Sequence, residues 1–570
     1  MHKEGAIGAP SGHYSDAEIA DTKVKAEALA ADVEAEGTVL VRNNDNTLPL
    51  AADNKKINVF GWASTAWLGG GSGSGGVSGV NTDLLAALTA YGVAYNTELT
   101  DMYKDFQDGR EYTRTLSAWP EQSGRLYEPD INNQTYYTQS MLDNAKSFSD
   151  TAVVVIGRLA GESNDATKQQ YKRTEKGGNI VVDDTRTMLE LTTEEEDLLN
   201  YVGANYAHVV VLINSTNVME LGQIETISGI DACLIAGLSG SEGATAVPEV
   251  LWGDREPSGR TADTWAYDLT TAASYANAGM EGVGKYSAAD GLYPADGTTN
   301  GNLDTPYTYE QVSYVDYAEG IYIGYKWYET ADAEGYWDAE IVQVYAAKPD
   351  AQIFRPAQEL KAFTKVWLEA GESKTVTLPL DDKAFRYWNT KTDSWEVEGG
   401  TYELRVGASS ADIRLTAAVE VNGTSAPNPY AGKALPHYTS GKVQRVPDAE
   451  WEILLGRPIP ADTVKIDRNM TLGELNHSRS PLCWLVWAVL TMLLNASYKR
   501  GKPNLNVMFQ YNMPLRALAK MTNGAISMGM VDGIVLEAEG FWVIGLLKVI
   551  VEAVKNIILN AQLESRLRNS

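Results

Sequence analysis

The stretch AVVVIGRLAGESND, residues 152–165, limits what this chain can fold into more than any other. Its apolar run, Ala152 to Ile156, offers no side chain to water and stops at Gly157. A run this short, bounded by turn residues, fits a strand covered on both faces in a parallel sheet. KINVFG (Lys56–Gly61), HVVVLIN (His208–Asn214) and Ile230–Ala236 have the same character, and EGTVLVRNN (Glu36–Asn44) is rich in strand formers. Helical spacing lies between them, over Asn81–Tyr91, Leu191–Val202, Ser241–Leu251 and a segment after Asn217. A first helix, Ser15–Glu36, opens with Ser15-Asp16 ahead of Glu18, the pattern of an N-terminal cap. Thr193 is the expected cap of the helix that carries Glu194 to Glu196 in its first turn, where carboxylates suit the helix dipole. Strands alternating with helices in this way predict an α/β domain with a mostly parallel sheet sandwiched by helices. Ligands of such sheets sit outside the carboxyl ends of the strands, which is where Glu162 falls.

Two segments interrupt the alternation. Ser163–Glu190 is a long polar excursion expected to be an insertion or lid. Gly69–Gly79 (GGGSGSGGVSG) sits between a strand and a helix, as a phosphate-binding loop would. It has neither the spaced glycines of a dinucleotide fingerprint nor the Lys-Ser/Thr of a phosphate loop, so a flexible rim beside a cleft is the better reading than nucleotide binding.

Beyond Glu319–Thr330 (EGIYIGYKWYET) the pattern changes. Ile341–Tyr345, Thr375–Leu380, Thr401–Val406 and Ile413–Val421 are short, β-branched or alternating, and separated by Gly and Asp turns, as in a β-sandwich. Five or six strands are expected there, against about seven in a complete immunoglobulin-like sandwich. Only ten residues separate Thr330 from Ile341, so the first strands of the sandwich are expected to be missing and its edges open. From Thr424 the chain is rich in Pro and Gly and then helical, with apolar spacing over Asn512–Met528 and Gly540–Leu563. The resulting division is 14–337 for the α/β domain, 338–422 for the partial sandwich and 423–570 for a linker and helical extension.

Charge is distributed unevenly. The chain carries 47 Lys and Arg against 75 Asp and Glu, a net charge of −28. Residues 431–570 hold 16 Lys and Arg against 11 Asp and Glu, which leaves −33 on residues 1–430. So acidic a body repels phosphate and argues against a nucleic-acid partner. The tail is different in kind and suits docking. Its longest apolar run, Cys483–Leu494, is 12 residues, short of the about 20 that span a bilayer, so membrane association is open only to the C-terminal helices lying on a surface. Cys233 and Cys483 sit in apolar contexts and are expected to be buried thiols; the five His show no metal-ligand spacing. No leader precedes Met1-His2-Lys3-Glu4, so the chain as written reads as cytoplasmic, or as extracellular or anchored if a leader has been removed.

An ordered set of segments resembles glycoside hydrolase family 3, a group with many β-glucosidases. EGTVLVRNN with LPL, the GGGSG loop, VVVIGRLAGESND, VVVLINSTNVMEL, PSGRTADTW and EGIYIGYKWYET occur in the family's order, and IVQVYAA with LEAGESKTVTLPL resembles its fibronectin type III-like module. LLGRPIP and NMPLRALAKMTNG resemble the end of some bacterial members. The resemblance runs from about Lys23 to Ile550. It implies a catalytic acid/base at Glu162, substrate contacts from Arg158, Asp165, Gly70 and Ser72, no metal and no cofactor. The motif's Arg is absent: position 166 is Ala. It also implies retaining hydrolysis of terminal β-linked sugars by two carboxyl groups about 5–5.5 Å apart.

The nucleophile of the family comes from a (β/α)8 barrel, which needs roughly 200–250 residues. Only about 35 precede EGTVLVRNN, and the two Ser-Asp pairs, Ser15-Asp16 and Ser149-Asp150, begin a helix and lead into a strand. No nucleophile is expected in this chain. The enzyme reading therefore needs a separate barrel chain to complete the site, with a glycoside as substrate; a homo-oligomer is the other partner left open. The alternative is a non-catalytic carbohydrate-binding or scaffolding protein.

Overall fold

The computed structural model describes residues 15–71, 75–77, 82–107, 125–160, 166, 169–177, 181–215, 217–277, 287–290, 311–314, 317–331, 341–366, 373–459, 464–499, 505–522 and 524–569. The chain packs as two compact units, Met1–Asp268 and Leu269–Ser570.

The first unit opens with α1 (Asp16–Gly37), capped reciprocally by Ser15 and Glu18 as its sequence predicts. There follow β1 (Val39–Asn43), β2 (Lys56–Phe60), α2 (Leu84–Ala90), β3 (Ala94–Tyr95), α3 (Thr97–Gln107), β4 (Arg125–Leu126), α4 (Gln139–Phe148) and β5 (Thr151–Arg158). Next come β6 (Gln170–Lys172), β7 (Val181–Asp183), α5 (Thr193–Asn205), β8 (His208–Ser215), α6 (Gly222–Thr226), β9 (Ala232–Ile235) and α7 (Ala246–Leu251). The main sheet has the order β1-β9-β8-β5-β2-β3 and is parallel except for β1, which runs antiparallel to β9. All eight residues of β5 are buried, and so are all but the first of β8. That is why these two strands read as unbroken apolar runs: neither has a face toward water.

Two local expectations need correction, and a third gains detail. The cap of α5 is Thr192, not Thr193. Its hydroxyl accepts from Glu195 N at 3.0 Å while the Glu195 carboxylate accepts from Thr192 N at 2.9 Å, a geometry that requires a three-residue spacing. Within the excursion Ser163–Glu190, expected as an insertion or lid, β6 and β7 join β4 in a small three-stranded sheet. Ser241–Leu251 is helical in the α sense only from Ala246.

In the second unit, α8 (Ala273–Asn277), the paired β10 (Ser287–Asp290) and β11 (Gln311–Tyr314), and α9 (Tyr325–Ala331) lead into six strands. These are β12 (Ile341–Ala347), β13 (Glu359–Lys365), β14 (Arg386–Asn389), β15 (Ser394–Val397), β16 (Gly400–Gly407) and β17 (Ile413–Val421). They form an antiparallel sheet of order β13-β12-β16-β17 and a β14-β15 hairpin. Thr375–Leu380, expected as a strand, joins no ladder. The place beside β12 belongs to β13, whose charged residues hide its pattern. Tyr322 and Trp327 pack with Leu435, Tyr438 and Val443 in a core of their own.

The chain ends in α10 (Pro436–Ser440), α11 (Asp448–Leu455), α12 (Pro481–Lys499), α13 (Leu505–Tyr511), α14 (Leu515–Met521), α15 (Met528–Ala538) and α16 (Trp542–Asn569). Met470, Leu475, Cys483, Leu515, Val531 and Ala538 form its core. Both cysteines are buried and unpaired. Among the described residues no helix is long and apolar enough to cross a membrane.

One buried acid makes stability depend on pH. Glu34 of α1 is buried, its Oε1 has no hydrogen-bond partner, and burial pushes its carboxyl up to about 7 from 4.5. A raised carboxyl pKa adds stability below pH 4.5 that is lost as pH rises through 7. Glu34→Gln should therefore leave stability unchanged near pH 4 and raise it by about 3 kcal/mol at pH 8, measured by urea denaturation at both pH values.

Candidate functional site at the carboxyl ends of the sheet

Among the parallel strands the spatial order is β3-β2-β5-β8-β9, so the chain reverses its direction of winding between β2 and β5. The loops leaving two such strands diverge to opposite faces and open a crevice at the carboxyl edge. The loop after β2 carries Gly70. The loop after β5 leads to Glu162.

Glycines let the two strand ends interlock. Gly61 has φ +87°, and a Cβ there would lie 2.2 Å from Val155 O. A Cβ on Gly157 would lie 2.7 Å from Ala63 Cβ and 2.9 Å from the Trp62 ring. The loop after β2 is then pinned along its length. Leu68 N donates to Asn214 Oδ1 at 2.7 Å, and Asn214 Nδ2 donates to Leu68 O and Gly237 O at 2.9 and 2.7 Å. Trp67 Nε1 donates to Ser239 Oγ at 2.8 Å, and Gly240 N to Gly69 O at 2.8 Å. Gly70 is thus held in a rim anchored to the ends of β8 and β9. A Cβ on it would approach Val77 N to 2.9 Å, so the rim folds closely on itself.

Arg158, the last residue of β5, is wholly buried. Its guanidinium forms a bidentate pair with Glu195, Nη1 to Oε1 at 2.8 Å and Nη2 to Oε2 at 2.6 Å. Nε donates to Met188 O at 2.7 Å, Nη2 to Glu190 O at 2.7 Å and Nη1 to Gly157 O at 2.8 Å. These contacts account for all five N–H donors of the fork. They tie the end of β5 to residues 188–195, and Gln170 Nε2 adds a bond to Thr187 O at 3.0 Å.

A second buried carboxyl lies beneath the same rim. Glu128 Oε2 accepts from Trp62 N at 3.0 Å, while Oε1 accepts from the Tyr103 and Tyr137 hydroxyls, each at 3.2 Å. The two hydroxyls also bond each other. Burial pushes the Glu128 carboxyl well above the usual range, and the nearby Glu195 carboxylate adds to the rise.

The structure therefore brings Gly70 and Arg158 to one crevice edge. Leu159 and Ala160, which follow Arg158, are buried. Glu162, Asp165 and Ser72 lie outside the described residues. Sequence reasoning did not single out Glu128 or Asn214, and took Glu195 only as a dipole partner. Asn214 carries a legible signal, an amide closing an apolar strand. Glu128 carries none, because its partners are 66, 25 and 9 residues away. Among the described residues no cluster of three His, Cys, Asp or Glu side chains could hold a metal ion.

The sequence model of the glycosyl hydrolase family 3 C-terminal domain matches residues 38–325, just over half of the 570 residues. The chain belongs to glycosyl hydrolase family 3. A fibronectin type III-like domain matches residues 340–410, which include the β12–β16 strands. Thermostable β-glucosidase B of Acetivibrio thermocellus is 28% identical, covering 70% of this family 3 chain and 48% of that protein. The exo-α-(1→6)-L-arabinopyranosidase of Bifidobacterium breve is 34% identical over 43% of this chain and 33% of its own length. The structure of β-glucosidase 3B from Thermotoga neapolitana with α-D-glucose superposes with a TM-score of 0.52 at 26% identity, covering 71% of this chain and 55% of that one. The chain spans about half the length, or less, of the curated relatives it matches. Among its described residues the strands form open sheets and no closed barrel.

The Arg158–Glu195 pair gives a direct test of how this family 3 domain holds its crevice. Glu195→Gln or Arg158→Met alone should destabilise the chain by about 3–5 kcal/mol, because each leaves one charge buried without its partner. The double variant Arg158→Met/Glu195→Leu should recover more than half of that loss in urea denaturation followed by tryptophan emission.

Proposed function

We propose that this chain provides the acid/base half of a retaining β-glycosidase site of the β-glucosidase type, with Glu162 as the proton donor. The observation that carries the reading is topological. Glu162 follows the strand at the winding reversal of the sheet, four residues after Arg158. The activities of relatives such as the Acetivibrio β-glucosidase support a terminal β-linked sugar as substrate.

In this mechanism Glu162 protonates the glycosidic oxygen as a carboxylate nucleophile attacks the anomeric carbon. Glu162 then removes a proton from the water that releases the sugar. The nucleophile belongs to a (β/α)8 barrel on a separate chain or module. Arg158 acts as a positioning residue: with its donors engaged by Glu195 and backbone carbonyls, it sets the direction in which the Glu162 loop leaves β5. The rim at Gly70 and Ser72 and the carboxylate of Asp165 contact sugar hydroxyls.

The test mixes this chain with a family 3 barrel that carries the nucleophile but lacks its own α/β domain, using p-nitrophenyl β-D-glucoside. Turnover should appear only in the mixture. Glu162→Gln should lower it by about 10²–10⁴-fold, with azide restoring part of the loss by replacing water as the attacking group. Turnover of the mixture that Glu162→Gln leaves intact removes Glu162 from the mechanism. A mixture that binds glucose without turnover favours the non-catalytic carbohydrate-binding reading.

A further inference from the structure

α16, the last helix of the second unit, packs with most of its polar residues inward. α16 meets α15 through glycines and polar groups. A Cβ on Gly533 would lie 2.6 Å from Val549 Cγ2, and one on Gly545 would lie 2.7 Å from Gly533 O. Lys548 pairs with Asp532 at 3.5 Å, and Asn556 Nδ2 and Asn560 Nδ2 donate to Gly524 O at 2.7 and 3.0 Å. The opposite side of α16 holds Val543, Leu547, Ile550, Val554 and Ile557, all exposed, with Val543 at 71% and Ile557 at 68%. With Ile544, Leu546, Val551 and Ile558 beside them, the uncharged arc is about 160° wide at 3.6 residues per turn.

α12 has an apolar inward side but also leaves apolar residues outside. Cys483 faces the core, while Leu482, Leu485, Val486, Val489, Met492 and Leu493 are exposed on the other side. No charged residue occurs from Pro481 to Tyr498. The N-terminal ends of the two helices are tied together: Arg479 N donates to Ala538 O at 2.7 Å and Trp542 Nε1 donates to Arg479 O at 3.1 Å. Trp484, Phe541 and Trp542 are exposed around that junction.

Charge identifies the occupant. Residues 464–570 hold 12 Lys and Arg against 7 Asp and Glu, in a chain of net charge −28. Arg479 precedes α12, Lys499 closes it, and Arg566 and Arg568 end α16. Uncharged arcs with aromatic residues at one end and cations at their borders match the layers of a lipid surface: acyl chains, the interface and anionic headgroups. A second copy fits less well. A two-helix seam covers a narrower stripe than these arcs. We propose that the outward faces of α12 and α16 seat this chain on the surface of a bilayer containing anionic phospholipid, with both helices lying in the interface. This reading is independent of the chemistry assigned to Glu162.

The test is co-sedimentation of the full chain with vesicles of phosphatidylcholine plus phosphatidylglycerol, and of phosphatidylcholine alone. Binding to the mixed vesicles should be on the order of tenfold tighter and should weaken with salt. Leu485→Glu/Val489→Glu and Ile550→Glu/Val554→Glu alter only exposed positions. Each pair should reduce binding at least tenfold, with circular dichroism and melting temperature unchanged. Failure to bind either vesicle, equal binding to both, or binding that survives both pairs of substitutions would overturn the proposal. So would a concentration-dependent dimer in analytical ultracentrifugation that the same substitutions dissolve, because a second copy would then cover the faces.

Discussion

Arg158 and Glu195 place opposite charges in a part of the first unit that water does not reach. Removing both from water costs more than their attraction alone returns, unless every remaining donor and acceptor is satisfied. Here the backbone satisfies them: the carbonyls of Gly157, Met188 and Glu190 take the remaining guanidinium donors, and Thr192 N shares the carboxylate. The pair is therefore better understood as a device for register than as a source of stability. It fixes where β5 ends, where α5 begins and how residues 188–195 run between them. An apolar pair of the same volume could hold the core but would leave those carbonyls without donors.

The crevice depends on that register. Gly61 and Gly157 bring the ends of β2 and β5 into backbone contact, and Asn214 and Ser239 hold the rim from the β8 and β9 side. Glu128 fastens the start of the rim from below through Trp62 N. The result is one wall of a site, built on rigid strand ends. A retaining glycosidase needs two carboxyl groups about 5–5.5 Å apart, so one wall is useful only when a second surface presents the other group.

The helices at the end of the second unit follow a different logic. In most globular helices the apolar stripe turns inward because burial of apolar area drives packing. α16 does the reverse because Gly529 and Gly533 allow close approach to α15, where Gly545, Glu552 and Asn556 supply the contact. What remains outside is apolar and uncharged, which is stable in water only at a cost and natural against a nonaqueous partner.

Much of this architecture is legible in the sequence because it rests on local rules. Runs such as AVVVI and VVVLI are too short for helices and too apolar for an exposed face, so they must be central strands. Ser15 with Glu18 announces the start of α1 because a capping box is a three-residue pattern. What the sequence leaves open depends on distance along the chain. Glu128 meets Trp62 and Tyr103, Arg158 meets Glu195, and Asn214 meets Leu68 only because the sheet order brings their strands together. β13 is a strand because pairing with β12 outweighs its weak strand pattern, whereas Thr375–Leu380 finds no ladder to join. The sequence by itself determined the alternation of strands and helices, since hydrophobic periodicity is a property of neighbouring residues. The tertiary structure alone decided which polar side chains are buried together and which face of α16 meets water, since both follow from contacts between residues far apart in the chain.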